Sequence, residues 1–284
     1  MKTICIYHGN CADGFGAAWV VQQWGIKMGV EVEFVEGHYG HAPPDCTGAN
    51  VVLVDFSYKR DVLLEIAKVA ATLTIIDHHK TAAEDLEGIA DEAERLGYCK
   101  VISIFSMEHS GAGLTWAALM SEYDMPPLIA HIQDRDLWKF ELQGTREIMN
   151  AVFSYPYNFD TWSQLMGAPL EFLYAQGEAI TRKHFKDLEE LLKKRVRRVT
   201  IAGHDVPMVN LPYTMGSDAG NQLAQGEKFA AIYSDGDDAR HFSLRSTDAG
   251  EDVSAIAATF GGGGHRNAAG FRVPFTELVA LGLQ

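Results

Sequence analysis

Two short runs constrain this chain more than anything else in it. Residues 51–54 (VVLV) are wholly apolar and residues 73–76 (LTII) nearly so, and each run is followed at once by an acid, Asp55 and Asp77. An apolar run of four residues fits a strand buried on both faces, as in a parallel sheet covered by helices. Residues 2–7 form a third run, β-branched and aromatic, and residues 30–34 alternate with Glu31 and Glu33 on the polar side. Helical segments lie between them. Ala17, Val20, Val21, Trp24 and Met28 recur at helical spacing within residues 16–28, and residues 61–69 and 82–96 also read as helices. The order is that of βα units, and in such sheets ligands bind beyond the carboxyl ends of the strands.

The residues at those ends are chemically alike. His8 follows the first run, with Asp13-Gly14 close behind it. Asp55 ends the second run and Asp77-His78-His79 the third, while Asp134-Arg135-Asp136 lies in a helical stretch opened by Pro126 and Pro127. Each piece alone has a plainer reading, since an acid after a strand often caps a helix and a histidine is often structural. Their recurrence at several strand ends points to a metal site. Imidazole with carboxylate suits Mn²⁺, Fe²⁺ or Zn²⁺, whereas all-oxygen shells suit Mg²⁺.

The pattern changes in the last third. Residues 171–198 read as one long amphipathic helix, closed by a basic run, residues 193–198, that complements the helix dipole. Beyond it, residues 200–201, 206–210, 229–233 and 241–245 read as strands, and residues 215–224 and 253–260 as helices. The expected organisation is a domain over 1–170, a linker helix over 171–198 and a smaller α/β domain over 199–284. In the last of these, Gly261, Gly262, Gly263 and Gly264 precede His265 and Arg266. Consecutive glycines let a ligand approach the backbone and expose N–H donors to an anion, and the two side chains add further donors. Arg245, at a strand end, is a second candidate for a phosphate. His109, in the segment Glu108-His109-Ser110-Gly111-Ala112-Gly113, has two readings: a substrate contact, or part of a helix start with Ser110 as N-cap.

Composition narrows the partners. The formal net charge is −14, from 38 acidic and 24 basic residues, which disfavours coating a long nucleic acid. None of the four cysteines forms a C-x-x-C pair. The apolar start is too short for a signal peptide and no run of about 18 apolar residues occurs, so the expected compartment is the cytoplasm, with no membrane partner.

The tripeptide Asp77-His78-His79 together with the distant GGGGHRNAAG segment resembles the DHH phosphoesterases that carry a DHHA1 domain, a likeness spanning nearly the whole chain. Relatives in that family include single-strand 5′ exonucleases, nanoRNases, cyclic-dinucleotide phosphodiesterases and, with a different C-terminal domain, family II pyrophosphatases. The resemblance implies a parallel-sheet catalytic domain, a smaller α/β substrate domain and a two-metal site, usually Mn²⁺, with Mg²⁺ or another divalent ion as an alternative. It implies that His8 and Asp55 hold one ion, and that Asp55 bridges to a second held by Asp13, His78 and Asp134. Asp134 is taken ahead of Asp136 because it comes first after the apolar helix. Asp77 and His79 are implied as catalytic groups, and the loop with Gly262, Gly263, Gly264, His265 and Arg266 as the contact to the terminal phosphate or base of a short oligonucleotide or nucleotide, beside the His109 and Arg245 candidates read from the residues themselves. Many relatives have Asp-x-Asp in the first motif, where Cys11 stands here in place of the first acid, which leaves one ion or two open. Polyphosphate hydrolysis and a non-catalytic nucleotide sensor are the rival expectations, and the oligomeric state, a homodimer included, stays open.

Overall fold

In the computed structural model, which describes residues 2–283, the chain divides into two compact units, one up to Arg182 and one from Lys183. The first contains β1 (Thr3–His8), α1 (Ala12–Met28), β2 (Val32–Gly37), β3 (Asn50–Val54), α2 (Arg60–Val69), β4 (Thr72–Asp77), α3 (Lys80–Asp85), α4 (Ile89–Arg95), β5 (Lys100–Phe105), α5 (Gly111–Leu119), α6 (Pro127–Asp136), α7 (Thr145–Val152) and α8 (Phe159–Gly167). The division between the units falls inside α9 (Leu170–Arg195). The helix expected as a separate linker is thus shared between them.

The five strands form one sheet in the order β2-β1-β3-β4-β5, every pair parallel, as the apolar runs predict. Side chains alternate between faces along a strand. Ile4, Ile6, Val51, Leu53, Leu73 and Ile75 therefore join Leu63 and Ile66 of α2 and Ile89 and Ala93 of α4 on one face. Cys5, Tyr7, Val54 and Ile76 join α1, α5, α6, α7 and α8 on the other. Burial of each such Leu or Ile contributes about 1.5–3 kcal/mol, so the two layers clamp the strand ends firmly. The strand order reverses at β1, with β2 on one side and β3 on the other. A crevice opens at such a switch point, beyond the carboxyl ends of β1 and β3.

The basic run expected to close the long helix is divided, since α9 ends at Arg195 and Arg197 and Arg198 open a strand. Elements of the first unit also differ from the sequence expectation. The helix expected over 82–96 is two, because Gly88 sits between α3 and α4 in the left-handed region (φ 73°), where a helix cannot continue. Strand β5 (KVISIF) was not anticipated: it forms an edge of the sheet, so its apolar residues are only half covered and leave no buried run to read.

In the second unit, β6 (Arg197–Ile201), β7 (His204–Asn210), α10 (Gly216–Leu223), β8 (Ala230–Asp235), β9 (Ala239–Arg245), α11 (Val253–Ala258), β10 (Gly263–His265) and β11 (Ala268–Pro274) follow in order. The strands form a mixed sheet, β10-β11-β9-β8-β7-β6, in which only β7 and β8 run parallel. Val253, Ile256 and Ala257 of α11 cover one face; Ala219 of α10 and Leu188 of α9 cover the other. The chain is thus α/β throughout, with a larger parallel-sheet unit, a smaller α/β unit and a long helix running from one to the other. No helix among the described residues is long and apolar enough to cross a membrane.

Candidate metal centre

The strand ends deliver their polar residues to one place. His8 is the last residue of β1, Asp55 follows β3, and Asp77 closes β4 with His78 and His79 directly after it. Asp55 has φ 53°, in the left-handed region that costs most residues energy but that aspartate tolerates. Its carboxylate is 2% exposed. Asp55 Oδ1 lies 3.0 Å from His78 Nε2, and Asp55 Oδ2 lies 3.4 Å from His8 Nδ1. Asp55 Oδ2 and His8 Nδ1 are both buried and neither makes a hydrogen bond. His78 Nε2 also faces Asp13 Oδ2 at 3.6 Å and Asp136 Oδ2 at 3.5 Å.

Two sets of potential ligand atoms lie wholly within the first unit, the atoms of each within 4.8 Å of one another: His8, Asp55 and His79 in one, Asp13, His78 and Asp136 in the other. Asp55 links them through its contact with His78.

Asp77 has a different position. It is fully buried, and its Oδ1 accepts from the backbone N–H of His78 at 2.7 Å and of His79 at 3.3 Å, and meets His79 Nδ1 at 2.7 Å. Ser57 Oγ donates to Asp77 Oδ2 at 2.6 Å. Asp77 thereby fixes the turn and the ring that carry the two imidazoles, and leaves the ligand-side nitrogens to the cluster.

Asp13, in the first turn of α1, has a partner that no local pattern reveals. Its Oδ2 accepts from Gly111 N at 2.5 Å and its Oδ1 from Ala112 N at 3.0 Å, at the start of α5. The open N–H groups of a helix terminus favour a carboxylate. Ser110 is the N-cap of α5, accepting from Gly113 N, so the segment around His109 is a helix start; His109 itself meets Ser106 Oγ at 3.0 Å. The signal was in the small residues. A Cβ at Gly111 would stand 2.3 Å from Asp55 Cβ, and one at Gly14 would stand 2.4 Å from the His8 carbonyl oxygen. Gly111→Ala is therefore expected to cost about 1–3 kcal/mol in a urea titration. By displacing Asp55 it is expected to weaken divalent-cation binding about 10–100-fold.

Asp134 does not stand where the sequence reading put it. Its carboxylate accepts from Glu141 N at 2.8 Å, Leu142 N at 3.1 Å and Thr145 Oγ1 at 2.5 Å, away from the histidines. Residues two apart on a helix point to different sides, and it is Asp136 that faces His78. Cys11 is the N-cap of α1. Burial, together with the Asp55, Asp136 and Asp13 carboxylates, pushes its thiol well up, so it stands beside the cluster as a neutral group.

The electrostatics are those of a site short of positive charge. Burial, together with the Asp55 and Asp136 charges, holds Asp13 well above the usual carboxylate range; burial, with Asp55 near, also raises Asp136. Burial works against the Asp55 carboxylate too, but the His78 and His8 imidazoles hold it well below its ordinary value. The two imidazoles are correspondingly raised, burial being outweighed by the carboxylates around them. Three crowded carboxylates, buried imidazoles and an unpartnered oxygen facing an unpartnered nitrogen fit a divalent cation, which satisfies all of them.

In the second unit the glycine run is not an open loop. Gly263 and Gly264 pair with Gly270 and Ala269, and His265 with Ala268, in an antiparallel hairpin. A Cβ on Gly262 would lie 2.0 Å from the Gly270 carbonyl oxygen, and one on Gly264 would lie 2.6 Å from that of Ala268. Close backbone packing thus requires these glycines. Arg266 donates to the carbonyls of Asp248 and Gly250, and Arg245 to Ser243 Oγ, Leu244 O and Ser217 Oγ.

Comparison with known proteins places this arrangement. Uncharacterized protein R106 of Acanthamoeba polyphaga mimivirus is 30% identical over 312 residues, spanning 99% of this chain and 71% of that protein. The chain belongs to this mimivirus family. No family model matches it. Solved structures give the fold. RecJ of Thermus thermophilus, in complex with Mn²⁺, aligns with 99% of this chain and 51% of its own at TM-score 0.56 and 13% identity. An exopolyphosphatase-related protein of Bacteroides fragilis aligns with 99% of this chain and 90% of its own at TM-score 0.53 and 15% identity. The pGpG-specific phosphodiesterase PggH of Vibrio cholerae aligns with 98% of this chain and 96% of its own at TM-score 0.50 and 13% identity. These three solved structures share the two-part α/β fold of this chain.

Proposed function

We propose that this protein is a metal-dependent phosphoesterase acting on short oligonucleotides or nucleotides. The observation that carries the reading is the pair of donor sets joined at Asp55, built from the ends of three adjacent parallel strands and the helices beside them. His8, Asp55 and His79 would hold one cation, and Asp13, His78 and Asp136 a second, with Mn²⁺ suited to the mixed imidazole and carboxylate donors. When bound, such a cation supplies positive charge to phosphoryl oxygens and lowers the pKa of a water.

The chain's own residues set the geometry. Asp77 orients the His79 ring by its bond to Nδ1, which leaves Nε2 as the nitrogen available to a ligand or a leaving oxygen. The α5 amides fix both oxygens of Asp13. In the second unit, the rigid glycine hairpin with His265 and Arg266, and Arg245 on β9, are the proposed substrate contacts, with His109 a further one in the first unit. The protein of like fold named for a phosphodiesterase supports phosphoester hydrolysis, and the exopolyphosphatase-related one supports the rival reading, hydrolysis of a phosphoanhydride.

The test is a Mn²⁺-dependent hydrolysis panel on wild type and His78→Ala, with a dinucleotide, a longer oligonucleotide, phosphoadenosine phosphate, a cyclic dinucleotide and polyphosphate. Turnover of a nucleotide substrate is expected, abolished by EDTA, restored by Mn²⁺ and lowered about 10³-fold in the variant. Phosphate release from polyphosphate alone would make the protein a polyphosphatase. Binding of nucleotide with no turnover at any Mn²⁺ concentration would make it a sensor.

A further inference from the structure

The segment that follows Asp136 is built in an unusual way. Trp138 and Phe140 both have positive φ, 58° and 53°. For bulky side chains this is a strained backbone, and strain of this kind persists only where surrounding bonds over-determine it. Asp134 supplies those bonds. Its carbonyl accepts from Lys139 N at 2.9 Å and Phe140 N at 3.3 Å, and its carboxylate from Glu141 N, Leu142 N and Thr145 Oγ1. One buried acid thus ties down the whole turn between α6 and α7.

The strain serves to bring two aromatic rings together between two cations. The Trp138 and Phe140 rings stand edge to face, centroids 5.0 Å apart. The Arg135 guanidinium lies 4.3 Å from the Trp138 centroid, and that of Arg146 lies 3.6 Å from the Phe140 centroid. All four side chains are partly exposed, where two large rings would otherwise be drawn into the core. The turn begins at Asp136, whose carboxylate faces His78, and the Arg135 charge acts on that carboxylate. An aromatic pair offers a stacking face to any base.

We propose that Trp138 and Phe140 form a stacking subsite for one nucleotide unit of the substrate, with Trp138 as the base contact. The subsite deepens the phosphoesterase reading by assigning base recognition to the first unit, and its test is independent of turnover.

The experiment is calorimetric titration of the Mn²⁺-loaded protein with adenosine 5′-monophosphate and, separately, with ribose 5-phosphate, which lacks the base. Stacking on one aromatic side chain predicts that wild type binds the first about tenfold or more tighter. Trp138→Ala is expected to remove most of that preference and Trp138→Phe to keep part of it, with circular dichroism confirming that each is folded. Should Trp138→Ala fail to fold, Phe140→Leu supplies the second variant, with a smaller loss expected. Equal affinity of wild type for the two ligands overturns the subsite, as does a folded Trp138→Ala that keeps the full preference. A base preference that depends on Trp138 in a protein without phosphoesterase activity would uphold the subsite and sink the catalytic reading. Turnover with no base preference would do the reverse.

Discussion

Asp55→Asn is expected to lower Mn²⁺-dependent hydrolysis by about 10³-fold, roughly 4 kcal/mol of barrier, while leaving the fold intact. Asparagine is the appropriate replacement because it tolerates the left-handed backbone that this position requires. The change keeps the shape and a hydrogen-bonding oxygen toward His78, and removes the charge on which both donor sets converge. Differential scanning fluorimetry separates the two effects. The metal-free variant should stay folded but melt below wild type, because the Asp55 charge offsets those of His8 and His78, and the rise in Tm that Mn²⁺ gives wild type should vanish, because stabilisation by a ligand tracks its affinity. A variant that retains both the Mn²⁺ shift and the activity would remove Asp55 from the centre.

The second large effect is a contrast between two acids two residues apart. Asp134→Ala leaves the N–H groups of Glu141 and Leu142 and the Thr145 hydroxyl without their acceptor and frees a strained turn. It is expected to cost about 3–5 kcal/mol, a large part of an ordinary domain's stability. Asp136→Asn should do the opposite. Its carboxylate is 29% exposed and sits among like charges, so the metal-free protein should be as stable as wild type or slightly more so, while turnover falls about 10²–10³-fold. Urea midpoints and initial rates on both variants decide the matter. Full Mn²⁺-dependent activity in Asp136→Asn, with a folded but inactive Asp134→Ala, would return Asp134 to the metal set.

These two acids also mark where the sequence stops being legible. Residues 51–54 and 73–76 announce their strands because burial on both faces demands an unbroken apolar run, and the next residue after such a run must emerge at the sheet's end. His8, Asp55 and Asp77-His78-His79 are readable for that reason. Asp134 and Asp136 lie on a helix, and which one turns toward the sheet depends on how α6 is rotated in the packed unit, which the local pattern does not carry. The bonds from Gly111 and Ala112 to Asp13 span 98 and 99 residues and leave only small residues as their trace. Gly262 and Gly264 show the converse. Sequence reveals their conformational freedom, but only the structure reveals that a neighbouring strand fills the space a side chain would need.

The Asp13 contact also bears on the order in which the protein becomes functional during synthesis. A nascent chain that has emerged through His79 already holds His8, Asp13, Asp55 and His78, yet it has neither the α5 amides that fix Asp13 nor the Asp136 that completes its set. Affinity for the second cation is consequently a property of a chain grown at least to Asp136, and that ion cannot serve as an early template for folding. Truncations released from the ribosome before residue 136 should therefore hold at most the one ion of the His8, Asp55 and His79 set, and depend on chaperones to cover their apolar surface.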